Sequence, residues 1–146
     1  MFYDDEWRQN FSFVFASLAN RFFEDCQRFE KNVYFCNTNI KQMEDKVING
    51  IKQTLLLNLP TGGYALLYGS RARGDAHSNS DWDILIVLDK DKLLPEDYDI
   101  ISYPLRELGW ELGESINPVM YTAKEWEESR FTPFYHNVID DAIRLA

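Results

Sequence analysis

The chain has 146 residues, 45% of them apolar, and a formal net charge of -9. That length and apolar content specify one folded domain with its own core and exclude disorder as the default state. The acidic balance argues against non-specific nucleic-acid binding, which needs a basic face, and fits a chain whose carboxylates partly serve a cation. The charge is unevenly spread: residues 1–41 carry 5 basic and 6 acidic groups, whereas residues 42–146 carry 10 and 18. Cys26 and Cys36 read as reduced thiols of a cytoplasmic protein rather than a disulfide framework, and neither histidine stands at zinc-ligand spacing with them. The N-terminus lacks the basic start of a signal peptide, and the apolar stretch Phe11 to Ala19 is too short to span a bilayer.

Residues 7–30 repeat apolar side chains at three- and four-residue spacing, with Phe11, Phe15, Phe22 and Phe29 prominent. This predicts an amphipathic helix, docked on the body or offered to a partner or a second copy. The division is drawn as an aromatic-rich helical extension over 1–41 and a catalytic-sized body over 42–146, with Met43 an alternative start. Asn39 and Gln42 suggest a capping box for a helix to about Asn58, burying Met43, Val47, Ile51, Leu55 and Leu59. Pro60-Thr61-Gly62-Gly63 ends it. Tyr64–Tyr68 reads as a buried strand, residues 70–74 as a helical turn and 75–80 as loop.

Trp82 to Leu88 is nearly continuous in Ile, Leu and Val, the signature of a strand buried on both faces. A helix over roughly 96–112 should bury Tyr98, Ile101, Leu105 and Leu108, with a break near Pro104. Ser115 to Tyr121 reads as a third strand, at an edge or bulged because of Pro118. Thr122 with Glu125 makes a capping box for a short helix, and Thr132-Pro133 starts a last one that buries Phe134, Val138, Ile139 and Ala142. Trp110, Trp126 and Tyr135 are expected in the core or an interface, and Lys90-Asp91-Lys92 in a solvated loop. The order of elements gives a mixed α/β (α+β) fold: a small mixed sheet of three or more strands flanked by helices.

The chemistry concentrates at residues 69–83. Gly69 after a strand lets another group approach the backbone, and the following amides, with the Ser70 hydroxyl, suit an anion. Arg71 and Arg73 offer charge for phosphates, or one of them serves a structural salt bridge. Asp81 and Asp83, two apart on a strand, share a face and can grip one cation or a pair. Each signal alone is weak; a turn aspartate and a strand-start aspartate are often merely solvated. Trp82 between them should face the core, and His77 should be a solvated loop residue.

Together, Gly69-Ser70-Arg71-Ala72-Arg73-Gly74 and Ser80-Asp81-Trp82-Asp83-Ile84 closely resemble the signature of the minimal nucleotidyltransferases of the DNA polymerase β superfamily, over about residues 42–146. The resemblance implies that Gly69, Ser70, Arg71, Arg73 and Ser80 bind the triphosphate of ATP or another NTP. It implies that Asp81 and Asp83 bind Mg²⁺, two ions, with Mn²⁺ a substitute. A nucleoside monophosphate would pass to an acceptor hydroxyl on a protein or small molecule. It further implies a nucleotidyltransferase fold and, as partner, a small helical protein of the HEPN type or a second copy. The family commonly has a third carboxylate on the next strand. Alignment on Pro118 puts Ser115 there, so Glu114 through a bulge, Glu111, or neither completes the set. The alternative function is a weakly active or inactive nucleotide-binding subunit of antitoxin type.

Overall fold

The structure, a computed structural model, describes residues 41–146. The phenylalanine-rich stretch, both cysteines and Asn39 lie outside the described residues. Residues 46–146 form one compact unit. Within it a four-stranded sheet, ordered β3-β2-β1-β4, is covered by helices on both faces.

Residues 41–58 are helical (α1). Val47, Ile51 and Leu55, spaced by four, are buried on one stripe, whereas Met43 at the same period is 55% exposed. The burial stripe therefore starts one turn later than the periodicity predicts. The α1 stripe packs against Trp82, Ile84, Ile86 and Leu88, the even-numbered side chains of β2 (Trp82–Leu88). Leu85 and Val87 point the other way and meet Trp126 and Val138. β2 is thus buried on both faces, as its composition requires.

β1 (Tyr64–Tyr68) runs antiparallel to β2, pairing Tyr68 with Asp83 and Tyr64 with Val87. β3 (Ile116–Thr122) runs parallel on the other side of β2, pairing Trp82 with Ile116, Asp83 with Asn117 and Ile84 with Pro118. β3 is an edge strand, where Pro118 costs the sheet least. The fourth strand, β4 (Ile143–Arg144), pairs with β1 and falls within the three or more strands expected. Its two residues are exposed and carry no alternation long enough to read from sequence.

The turn after β1 is closed by α2 (Ser70–Arg73). Between β2 and β3 the chain forms α3 (Pro95–Asp97), a π-helical turn Tyr98–Ser102 and α4 (Tyr103–Leu112). The wider turn sits immediately before Pro104, which has no amide to donate; the break is absorbed as a π turn rather than an open kink. Ile101 and Leu105 are buried, but Tyr98 is exposed, and so is Trp110 at 68%. Lys90, expected in a solvated run, instead donates to Asp97 at 2.6 Å. The capping box is present at the start of α5 (Ala123–Glu128), where Thr122 and Glu125 exchange hydrogen bonds. Thr132 caps α6 (Pro133–Asp141), which buries Val138 and leaves Ile139 exposed. Trp126 is buried and stacks obliquely on Tyr135 at 4.7 Å.

Gly109 allows the end of α4 to close on β3. A Cβ there would lie 2.7 Å from the Glu114 carbonyl oxygen and 3.2 Å from Ile116 Cγ1. The Glu114 oxygen is backbone and cannot rotate aside. Gly109→Ala should therefore lower unfolding free energy by about 1–3 kcal/mol, the range for overpacking, as read by urea denaturation. A variant as stable as the parent would show that α4 and β3 can separate freely.

Candidate functional site

Parity along β2 sorts the side chains at its N-terminal end. Asp81 and Asp83 belong with Leu85 and Val87 on one face, and Trp82 with Ile84 on the other. Tyr68 of β1 and Asn117 of β3 flank Asp83 directly on the aspartate face. Behind them lies an aromatic layer in which Tyr68 meets Phe134 edge-on at 5.6 Å and Tyr121 stacks on Phe134 at 6.3 Å.

Asp83 is half-buried beside that layer. Burial raises its pKa above the ordinary 3.8, the Asn117 side chain opposes this by donating a hydrogen bond, and the Asp81 charge adds to the rise. Tyr68 is pushed up to about 12 by burial first, then by Asp83 and Tyr121, so it remains a neutral phenol. Asp81 is exposed at the strand's mouth.

The β1–α2 turn faces this carboxylate. Gly69 has φ of 75°, and a Cβ on it would stand 2.8 Å from Asp83 Oδ2. Glycine is needed for both the dihedral and the approach. The amides of Ala72 and Arg73 donate to the Gly69 carbonyl, which closes the turn. The Ser70 and Arg71 amides open the helical turn. The Ser70 hydroxyl makes no hydrogen bond to the described residues. Gly69, Ser70 and Asp83 are thus brought together, with Asp81 beside them.

Other expected site residues are placed differently. The Arg71 side chain is only 6% exposed; it lies over the Trp82 ring and donates to the Ser80 carbonyl from Nε and Nη2. Arg73 is at the surface, paired with Asp141 at 2.8 Å and Asp75 at 3.2 Å. Ser80 closes its loop, its Oγ accepting from the His77 amide at 2.8 Å. Glu114 accepts from Trp82 Nε1 at 2.9 Å and so belongs to the face opposite the aspartates. Ile116 pairs with Trp82, and Glu114, two residues before β3 begins, lies on the Trp82 side. Glu111 lies on the exposed side of α4.

Asn117 was the residue missed. Alignment on Pro118 selected Ser115, but the parallel register sets Asn117 beside Asp83 and, continued by two residues, Ser115 beside Asp81. Both positions next to the aspartates are neutral. The parity of a parallel neighbour was the available signal, and its register is not fixed by a short turn as a hairpin's is. Asn117 also lines a cleft of about 480 Å³ between α4 and β3, with Arg106, Trp110 and Glu114.

Among the described residues no three or more His, Cys, Asp or Glu side chains converge as a metal site. Asp81 and Asp83 are hard oxygen donors, and Mg²⁺ commonly uses one or two carboxylates together with substrate phosphates and water. The donor chemistry therefore fits Mg²⁺ arriving with a phosphate ligand.

Residues 46–138, which hold the turn, the aspartate face and the paired strands, match the nucleotidyltransferase domain. The chain belongs to that family. Two solved structures resemble this chain. A crystal structure of a toxin–antitoxin with AMP-PNP is 25% identical, with a TM-score of 0.49, over 68% of this chain and 72% of that one. A mutant MntA-HpeT toxin–antitoxin structure is 22% identical, with a TM-score of 0.50 and the same coverage, a likeness of fold. No functionally curated protein matches the sequence. The mixed sheet flanked by helices is the nucleotidyltransferase fold that the motif implied. No helix among the described residues is long and apolar enough to cross a membrane.

Burial of Asp83 makes the stability of the metal-free protein depend on pH. A carboxyl whose pKa rises on folding adds stability while protonated and loses that contribution as pH climbs through the folded value. Ionised Asp83 therefore costs stability at pH 7. Asp83→Asn keeps an oxygen for Asn117 and removes the charge, so its Tm in EDTA should exceed the parent's at pH 7. The gap should close on acidification to about pH 3, below the ordinary carboxylate range. Equal Tm values at pH 7 would contradict the burial argument.

Proposed function

We propose that this nucleotidyltransferase moves a nucleoside monophosphate from an NTP, ATP foremost, to an acceptor hydroxyl on a protein or small molecule. The observation that carries this reading is the apposition of the Gly69 backbone and the Asp83 carboxylate. An anion-binding turn and cation-binding carboxylates adjoin, which is what a metal-bound triphosphate requires.

In this reading the Ser70 hydroxyl and the opening amides of α2 hold phosphate oxygens, and Gly69 keeps the approach clear. Arg73, at the surface beside that turn, adds positive charge. Asp81 and Asp83 hold Mg²⁺ or Mn²⁺, which when bound neutralises phosphate charge and orients the leaving group. The acceptor oxygen bonds to the α-phosphorus, the bond to pyrophosphate breaks, and the acceptor proton leaves to solvent. Asn117 orients Asp83 through its hydrogen bond. Positioning and electrostatics supply most of the rate. A helical partner protein or a second copy is part of the proposal, and the exposed Leu56 and Leu57 support an apolar contact.

One observation favours a second reading, a nucleotide-binding subunit of antitoxin type with little turnover. The positions beside both aspartates hold Ser115 and Asn117 rather than a third carboxylate. Titration with AMP-PNP, with and without Mg²⁺, followed by incubation with labelled ATP and candidate partners, separates the two. Transfer to an acceptor, lost by at least about a hundredfold in Asp83→Asn, is expected of the enzyme. Mg²⁺-dependent binding with pyrophosphate release no greater than that variant's would leave the binding role. No Mg²⁺-dependent binding would overturn both.

A further inference from the structure

Arg71, Trp82 and Glu114 come from three different segments and meet on the face of β2 opposite the aspartates. We propose that they form a positioning cluster that fixes the Ser80–Asp81 peptide, and with it the loop joining the phosphate turn to the acidic strand. Its consequence for catalysis rests on the nucleotidyl-transfer reading; its effect on the loop does not.

The Arg71 guanidinium is nearly out of water, its side chain 6% exposed, and a charge so placed must be compensated. Its Nε and Nη2 donate to the Ser80 carbonyl at 3.2 and 3.1 Å. Its Cζ lies 4.5 Å from the Trp82 ring centroid, within cation–π range. Glu114 Oε2 balances the charge from 3.5 Å while accepting from Trp82 Nε1 at 2.9 Å. The short bond is the indole's: Trp82 orients the carboxylate, and the carboxylate answers Arg71.

The carbonyl that Arg71 holds belongs to the planar peptide leading into Asp81. The same residue is tied on its other side, since the Ser80 amide donates to the His77 carbonyl at 2.9 Å. At the far end, the Asp75 amide donates to the Ser70 carbonyl at 3.2 Å. The Trp82 amide donates to the Ser115 carbonyl at 2.8 Å, which adds the start of β3 to the assembly. Arg71 follows Ser70 in the chain and Trp82 separates the aspartates, so one guanidinium spans both halves of the motif. To reach a phosphate, Arg71 would have to abandon the ring, the carboxylate and the carbonyl. Lysine cannot reproduce this role, because it lacks the planar fork.

The test uses the full chain and hydrogen exchange over residues 75–81, with AMP-PNP titration and ATP turnover alongside. Glu114→Ala should speed exchange in that segment about tenfold or more while leaving β1 unchanged. Glu114→Gln, which keeps an oxygen for Trp82 and Arg71, should restore most of the protection. Arg71→Lys should loosen the same segment. In both loosened variants kcat should fall about tenfold or more, since small misplacements are costly, with AMP-PNP affinity within about twofold of the parent's. If Glu114→Ala does not fold, Arg71→Lys carries the measurement. Parental exchange over 75–81 in folded Glu114→Ala or Arg71→Lys overturns the proposal. So does Arg71→Lys with weakened AMP-PNP binding and an unchanged loop, which would make Arg71 a phosphate ligand. If the parent transfers no nucleotide, the transfer reading falls, and the exchange data still decide the cluster.

Discussion

Everything at this site depends on the two-residue period of β2. A strand buried on both faces cannot slip by one residue without sending its whole apolar set the wrong way. The register with β1 on one side and β3 on the other is therefore held by Ile84, Ile86 and Leu88 facing α1 and α4, and by Leu85 and Val87 facing α5 and α6. Asp81 and Asp83 inherit their common face from that core. So does Trp82, whose indole is turned toward Glu114. The two carboxylates are aligned by hydrophobic side chains further along the strand.

The same constraint produces a cost. Asp83 is the first odd-numbered residue of β2, and the face it shares is lined by Tyr68, Tyr121 and Phe134. Those rings pack into the core cluster on that face, and partial burial there disfavours the charged carboxylate. The Asn117 amide offsets part of that penalty, and the glycine at position 69 leaves an open approach where any other residue would press on the carboxylate oxygen. A buried core and an exposed anionic site would ordinarily be separated by several residues. Here they are adjacent, and the glycine turn is what makes the adjacency possible.

Much of this was legible in the residues themselves. The run Trp82 to Leu88, the Gly69-Ser70 turn, the Thr122–Glu125 box and the Thr132-Pro133 start each express a local rule, and local rules survive folding. What could not be read was set by partners distant in sequence. Arg71 and Glu114 are 43 residues apart, and nothing near either one announces their pairing. Asn117 acquires meaning only through the parallel register with Asp83. β4 takes its strand form by pairing with β1, and Trp110, expected in the core or an interface, is exposed. Met43 keeps the helical period of α1 but is exposed.

Under the proposed function, the neutrality of Ser115 and Asn117 changes how the site must hold its cation. Two carboxylates form a sparse donor set, and burial disfavours the charged form of Asp83. A cation arriving alone would have to offset that penalty with little coordination in return. A triphosphate seated on the α2 turn would bring further oxygens beside Asp83, and the cation would then favour the ionised carboxylate that the rings oppose. Cation and nucleotide would thus bind as mutual aids, with reciprocal coupling by linkage. A third carboxylate at position 117 would weaken that dependence by letting the cation bind first. The amide there, together with the withdrawal of Glu114 to Arg71 and Trp82, makes the nucleotide a structural component of the site it reacts in.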